Sequence, residues 1–460
     1  MLKLTPDQVF PILKKHMLVD GFNQMVVDLQ KSQGSYLYDS LNNRRYLDLF
    51  SFFATAPIGH NHPAMSNPEF KEKILSVAIM KPSNSDFYTV EMAEFVSTFS
   101  KYVMPDYLPY LFLIEGGALG VENALKAAFD WKIRKNFEKG YREEKGTQVI
   151  HFKEAFHGRT GYTLSLTNTA DIRKVKYFPK FNWPRITNPK ITFPLNESNL
   201  EKVEAVEKKA VQEIKEAIKN NPDDIAAIII EPIQGEGGDN HFRKEFFQQL
   251  RTTADENEIM LIFDEVQTGI GLTGEIWGHQ HFGVKPDLIA FGKKTQVCGF
   301  LCSKRIDEVE NNVFHESTRI NSTWGGNLVD MVRFRKYLEI IVNERLVENA
   351  KNVGEYFLNE LKKIQNEFEG FVTNVRGRGL MIAFDLPTGE IRTHYLRTTF
   401  KNGLIALSCG KRSVRFRPSL NLTKDLVDEA MEIIRKSLKE VLEKNGEKIT
   451  MVEDEAPFEL

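Results

Sequence analysis

The chain has 460 residues, 42% hydrophobic and 27% charged, and its 61 Lys+Arg offset 63 Asp+Glu to a formal charge of −2. This is ordinary globular composition with length enough for a large core, and it carries no basic excess of the kind that binds nucleic acid or an anionic membrane. No apolar run reaches the length of a membrane span, residues 1–20 show no signal-peptide pattern, and three cysteines (Cys298, Cys302, Cys409) make no disulfide framework, so a reducing cytoplasm is expected.

In chain order, residues 9–27 have a loose helical pattern, and 35–38 and 45–49 read as paired short strands. His60-Asn61-His62-Pro63 reads as a turn, since no further metal ligand stands at a useful spacing. From about residue 71 strands and helices alternate. Strands are expected at 110–114, 147–152, 225–230, 259–263 and 288–291, and helices at 91–102, 121–134 and 200–220. Such alternation implies a mostly parallel sheet with right-handed crossovers. A helix from 328 to 350 or beyond leads to strand candidates at 380–386 and 414–416 and a closing helix at 424–443. Residues 445–460 are polar and acidic, with the composition of a loose tail. The division expected is 1–70 as the N-terminal part of a small domain, 71–330 as a large domain, and 331–460 as the C-terminal part of the small one.

Two residues at the ends of buried strands carry the most information. Asp264 closes Ile259-Met260-Leu261-Ile262-Phe263, and Lys293 follows Leu288-Ile289-Ala290-Phe291-Gly292. Ligands of open α/β sheets sit beyond the carboxyl ends of the strands. A lysine and a carboxylate delivered there together suit pyridoxal phosphate (PLP), which needs an amine for its Schiff base and an acid for its pyridinium nitrogen. Other constellations fall around them. Gly116-Gly117-Ala118, between a strand and a helix, is a phosphate cup or a tight turn. Phe156 stacks on a ring or packs in the core, and Arg159 forks onto a substrate carboxylate or makes a surface ion pair; His157 reads as structural. In the glycine-rich loop 235–238, Glu236 is better placed than Glu231, which caps the turn, to enter a site. Gln267 reaches a phenolic oxygen or is a solvated amide. Asn321-Ser322-Thr323 before two glycines contacts a phosphate or caps a helix. Arg415 and Arg417 alternate around Phe416, so they share one strand face, and one of them is a carboxylate ligand or both lie on a half-exposed edge.

The segment from Leu261 to Cys298, with Asp264-Glu265, Gly269, Gly274, Asp287 and Gly292-Lys293, resembles the signature of class III aminotransferases. The likeness runs over nearly the whole chain. Within the class, Glu115-Gly116-Gly117-Ala118, Phe156-His157-Gly158-Arg159, Glu231-Pro232-Ile233-Gln234-Gly235-Glu236-Gly237-Gly238 and Asn321-Ser322-Thr323-Trp324-Gly325-Gly326-Asn327 are most similar to the lysine 6-aminotransferase branch. The resemblance implies an α/β fold of type I: a large domain around a mostly parallel sheet and a smaller α+β domain from both chain ends. It implies Lys293, not the adjacent Lys294, as the Schiff-base lysine, and Asp264 as the pyridinium partner. Gly117, Ala118, Phe156 and Gln267 become cofactor contacts, and Thr323 a phosphate ligand lent by a second subunit, hence a homodimer with shared sites. Arg159 and Arg415 become the two carboxylate-binding arginines, with Glu236 the acid that pairs with Arg415, and Asn321 a substrate contact. The reaction implied moves the terminal amino group of lysine to 2-oxoglutarate by a ping-pong route; ornithine, 4-aminobutyrate or another ω-amine, or a racemase or mutase reaction, are the alternatives. No metal is expected. Where some relatives have alanine, Gly120 is expected to be of no consequence.

Overall fold

The structure is a computed structural model describing residues 4–445. Its strands, in chain order, are β1 (Tyr36–Asp39), β2 (Arg44–Asp48), β3 (Tyr110–Ile114), β4 (Gln148–Phe152), β5 (Arg185–Ile186), β6 (Ile225–Ile230), β7 (Met260–Asp264), β8 (Leu288–Phe291), β9 (Cys298–Cys302), β10 (Thr373–Arg378), β11 (Met381–Asp385), β12 (Leu404–Ile405), β13 (Leu407–Cys409) and β14 (Ser413–Phe416). The central sheet has seven strands ordered β3-β9-β8-β7-β6-β4-β5. Only β9 runs against its neighbours. The expected mostly parallel α/β sheet is therefore present, and the strand read around 259–263 ends one residue later, on Asp264 itself.

The apolar runs are continuous because both sheet faces are covered. Val149, Ala227, Ile229, Met260, Ile262, Leu288 and Ala290 pack on one side with Val121, Leu125, Ala128 and Trp131 of the helix Gly117–Glu138. Ile150, Phe152, Ile228, Ile230, Leu261 and Phe263 pack on the other with Phe246, Phe247 and Leu250 of the helix Lys244–Glu256. Each of the Val, Ile, Leu, Met and Phe side chains among these contributes about 1.5–3 kcal/mol of burial. The helix Gly117–Glu138 lies very close to the sheet: a Cβ on Gly120 would fall 2.7 Å from the carbonyl oxygen of Gly299 in β9. Gly120 is thus a close-approach residue, not the indifferent position expected.

Two smaller sheets complete the fold. In one, β2 lies between antiparallel β1 and parallel β12, joining chain segments nearly the length of the protein apart. The other is antiparallel, in the order β10-β11-β14-β13. Three expectations need correction. Of 9–27, only residues 9–13 are helical, as the end of the helix Pro6–Leu13; beyond it the chain is drawn out to pair Val27 with Asp39, whose carboxylate takes the Val26 N–H at 3.0 Å. The single helix from 328 is two, Leu328–Asn343 and Leu346–Glu367, broken where Arg345 adopts a left-handed φ of 53°. Strand β9 was not expected; its Gly299 lets Phe112 of β3 approach so closely that a Cβ would meet the Phe112 carbonyl at 1.9 Å. The tail after residue 445 lies outside the described residues.

Candidate active site

Because β3, β4, β6, β7 and β8 run the same way, their carboxyl ends share one edge of the sheet. Gly116 and Gly117 follow β3, Phe156 and His157 follow β4, Glu231 follows β6, Asp264 ends β7, and Lys293 follows β8. The loops touch. A Cβ on Gly292 would lie 3.4 Å from Cα of Gly117, and one on Gly158 would lie 2.6 Å from the methyl of Ala118. Gly116 has φ 103°, which an L side chain rarely adopts, and offers no side chain to cap the helix that begins at Gly117. Its first N–H groups and its dipole therefore face this edge, the arrangement that favours an anion.

Asp264 is 5% exposed. Its Oδ1 accepts the N–H of Val266 at 3.1 Å, and Oδ2 is 2.8 Å from Nδ1 of His157. His157 is itself buried, and its Nε2 has no partner among the described residues. The histidine read as structural thus positions the key carboxylate. Glu231 accepts the N–H of Phe156 at 2.9 Å and that of Gly235 at 3.0 Å, tying the β4 loop to the glycine loop, and burial raises its pKa. It caps, as expected.

The structure separates the two adjacent lysines. Lys294 is 1% exposed, and its amine donates to the carbonyl of Gln267 at 2.8 Å. Lys293 is only partly buried, has φ 56°, and its amine makes no hydrogen bond or ion pair among the described residues. Burial first, then the charges of Arg415 and Arg417, push its pKa down to about 7. Asp264 and Glu231 pull the other way but do not win. An uncommitted amine, neutral in good part near pH 7, is a nucleophile.

Opposite this edge stand two arginines. Arg415 and Arg417 share a face of the β14 segment, while Phe416 packs on Phe357 and Phe384, as the alternation predicts. Arg417 is 0% exposed, paired through two nitrogens with the Asp239 carboxylate; it is a structural ion pair. Among the described residues the Arg415 side chain bonds only Gln267, whose Oε1 accepts from Arg415 Nη1 at 3.2 Å and Arg417 Nε at 2.9 Å. Gly235 leaves room for this amide: a Cβ there would sit 2.3 Å from that same Oε1 and displace it. The expected pairing of Glu236 with Arg415 is not formed: the Glu236 carboxylate takes the Thr169 hydroxyl at 2.8 Å and the ammonium of Lys174. Lys174, Asp239 and the His157–Asp264 contact were not anticipated, because each depends on segments far apart in the chain.

Three predicted residues stand apart in the single chain. Arg159 is exposed and unpaired among the described residues. Asn321 and Thr323 are exposed in a loop held from beneath by Ser83, Asn84 and Ser85, which bond the carbonyls of Thr323, Gly326 and Ser322 at 2.6, 2.9 and 2.5 Å. Among the described residues no hydrogen bond or ion pair joins this loop to Lys293. No cluster of three His, Cys, Asp or Glu side chains able to hold a metal occurs among the described residues, and the three cysteines are free and buried.

The donor set fits PLP: a free amine on one strand end, a hydrogen-bonded carboxylate on the next, an uncapped helix start, and an aromatic between them. A family model for class III aminotransferases matches residues 19–438, and the chain belongs to that family. It is a PLP-dependent aminotransferase. Among its relatives, the L-lysine-epsilon aminotransferase of Mycobacterium tuberculosis is 49% identical over 435 residues, covering 94% of this chain and 96% of the relative. That of Streptomyces clavuligerus is 46% identical over 442 residues, with 96% of each covered. A solved lysine aminotransferase from M. tuberculosis, in the internal aldimine form, superposes with TM-score 0.93 at 49% identity, covering 95% of this chain and 100% of that one.

Proposed function

We propose that the chain transfers the terminal amino group of L-lysine to 2-oxoglutarate, giving 2-aminoadipate 6-semialdehyde and L-glutamate by a ping-pong route. The observation that carries this reading is the unpaired Lys293 amine, with pKa about 7, among Asp264, Arg415 and Arg417; the likeness to lysine-epsilon aminotransferases supports the donor. Bound PLP supplies an electron sink for the carbon that loses its proton. Lys293 carries that proton, transfer of a kind worth roughly 10²–10⁴-fold. Asp264, oriented by His157, would hold the ring nitrogen protonated. Gly117 and Ala118 at the helix start, with Thr323 of a second copy, would hold the phosphate. Phe156 would cover the ring, and Gln267 would serve the phenolic oxygen. Arg159 takes the carboxylate remote from the reacting atom in both substrates, with Asn321 beside it. Arg415 is needed only by 2-oxoglutarate, whose second carboxylate adjoins the reacting carbon; for lysine, Glu236 turns to mask it, since an unpaired buried guanidinium is costly.

The same reading makes the working unit a cytoplasmic homodimer. It also makes 71–330 the cofactor domain, with 1–70 and 331–460 forming the smaller one. Among the described residues no helix is long and apolar enough to cross a membrane. The test is a donor-by-acceptor activity matrix on purified protein. L-lysine with 2-oxoglutarate should lead in kcat/KM by at least tenfold; a lead for ornithine or 4-aminobutyrate would replace the proposed donor.

A further inference from the structure

The Glu236 backbone is pinned, so only its side chain can choose a partner. Its carbonyl accepts the N–H of Gly410 at 2.7 Å, and a Cβ on neighbouring Gly237 would fall 1.9 Å from the Glu154 carbonyl. Oε1 is occupied by Thr169 and Lys174, while Oε2 is buried without a hydrogen-bond partner among the described residues. On the other side, Nε of Arg415 is also buried without a hydrogen-bond partner among the described residues, in a residue 4% exposed. An orphan acceptor and an orphan donor of opposite charge would ordinarily pair, because buried polar groups left unsatisfied are destabilising. Something holds them apart.

Lys174 is placed to do so. It ends a single turn, Ile172–Lys174, whose N-cap Asp171 accepts the Arg173 N–H. Its side chain is 23% exposed, so its charge is only partly screened, and the amine stands 5.9 Å from the centroid of the Phe156 ring, which adds a second attraction. We propose that Lys174 is a positioning residue that competes with Arg415 for Glu236, biasing the site toward the state in which Arg415 is open to a carboxylate beside the reacting carbon of a 2-oxo acid. With lysine bound there is no such carboxylate, and Glu236 leaves Lys174 for Arg415. The relative strengths of the two cations then set how readily the enzyme passes between its half-reactions. This rests on the two-substrate reading above.

A thermodynamic cycle on the holoenzyme tests it. Glutarate, a five-carbon dicarboxylate without a carbonyl to react, is titrated by calorimetry into wild type, Lys174→Met, Glu236→Gln and the double variant. Lys174→Met should weaken glutarate about tenfold, or about 1.4 kcal/mol. In the Glu236→Gln background the same change should alter binding less than twofold, and Lys174→Arg should restore the wild-type constant. Equal weakening in both backgrounds would mean that Lys174 touches the ligand directly, and would overturn the proposal. So would an unchanged constant in Lys174→Met, or no glutarate binding in wild type. If the cycle shows the coupling while the protein fails to deaminate lysine, the donor assignment falls and the role of Lys174 stands.

Discussion

The acidity of Lys293 gives the most direct test of the site. An ordinary lysine, with pKa near 10.4, is neutral in about one molecule in 2,500 at pH 7. With its pKa pushed down to about 7, Lys293 is neutral in about half, a gain of roughly 10³ in reactive amine. Burial is the largest cause and the Arg415 charge the next. In Arg415→Met the burial remains and Gln267 keeps its bond from Arg417, so the local fold should hold. Loss of the charge should then raise the midpoint by roughly one unit, the low end of what a close charge does. The sign is fixed: removing a positive neighbour favours the protonated amine, so labelling shifts to higher pH. Competitive acylation of the cofactor-free protein, read by peptide mass spectrometry across pH, measures this without any turnover. Lys293 should label with a midpoint near 7 in wild type and near 8 in Arg415→Met. Lys294, buried and bonded to Gln267, should label only on unfolding. A wild-type midpoint above 9, no movement in Arg415→Met, or earlier labelling of Lys294 would refute the assignment.

Asp264→Asn keeps the side chain's shape and an oxygen for the Val266 N–H but removes the charge. Steady-state kinetics should show kcat down by roughly 10²–10³-fold, the cost of removing one preorganised electrostatic partner, with cofactor still bound by absorbance. Gly120→Ala gains helix propensity of about 1 kcal/mol but drives a methyl to 2.7 Å from the Gly299 carbonyl. Overpacking of about 1–3 kcal/mol should win, giving a lower denaturation midpoint; a higher one would show that β9 gives way. Lys132 is 1% exposed; its amine makes no hydrogen bond among the described residues and lies 3.9 Å from Asp223 and 3.8 Å from Glu258, yet burial, with Lys139 adding repulsion, lowers its pKa to about 8. The native state therefore binds fewer protons than the unfolded chain, whose lysine titrates near 10.4, and Lys132 destabilises most below pH 8. Lys132→Met should stabilise by up to about 3 kcal/mol at pH 7, a gain that fades between pH 8 and about 10.4 in denaturant titrations.

The parts of the site visible in the sequence are those that parallel strands expose as a pattern. A strand buried on both faces must be an unbroken apolar run, so the polar residue that ends it stands out. Asp264 and Lys293 end two such runs, and the loops around Gly117 and Phe156 follow two more. Hydrogen-bond partners are another matter, because a long polar side chain near several opposite charges takes whichever the tertiary structure brings into reach. Lys293 and Lys294 are indistinguishable by pattern; what separates them is a carbonyl 27 residues away that satisfies one and leaves the other free. Glu236 takes Lys174, 62 residues back in the chain, rather than Arg415. Likewise Gly120 is silent in the sequence because its neighbour Gly299 belongs to β9, the one antiparallel strand of the central sheet, which the glycine–lysine turn before it hides. The proposed catalytic pair is thus a property of local pattern, whereas the proposed choice between two carboxylate substrates is a property of packing. On the proposal for Lys174, the balance between the two half-reactions can drift through changes at positions that no strand or glycine motif marks, while Asp264 and Lys293 stay where the sheet puts them.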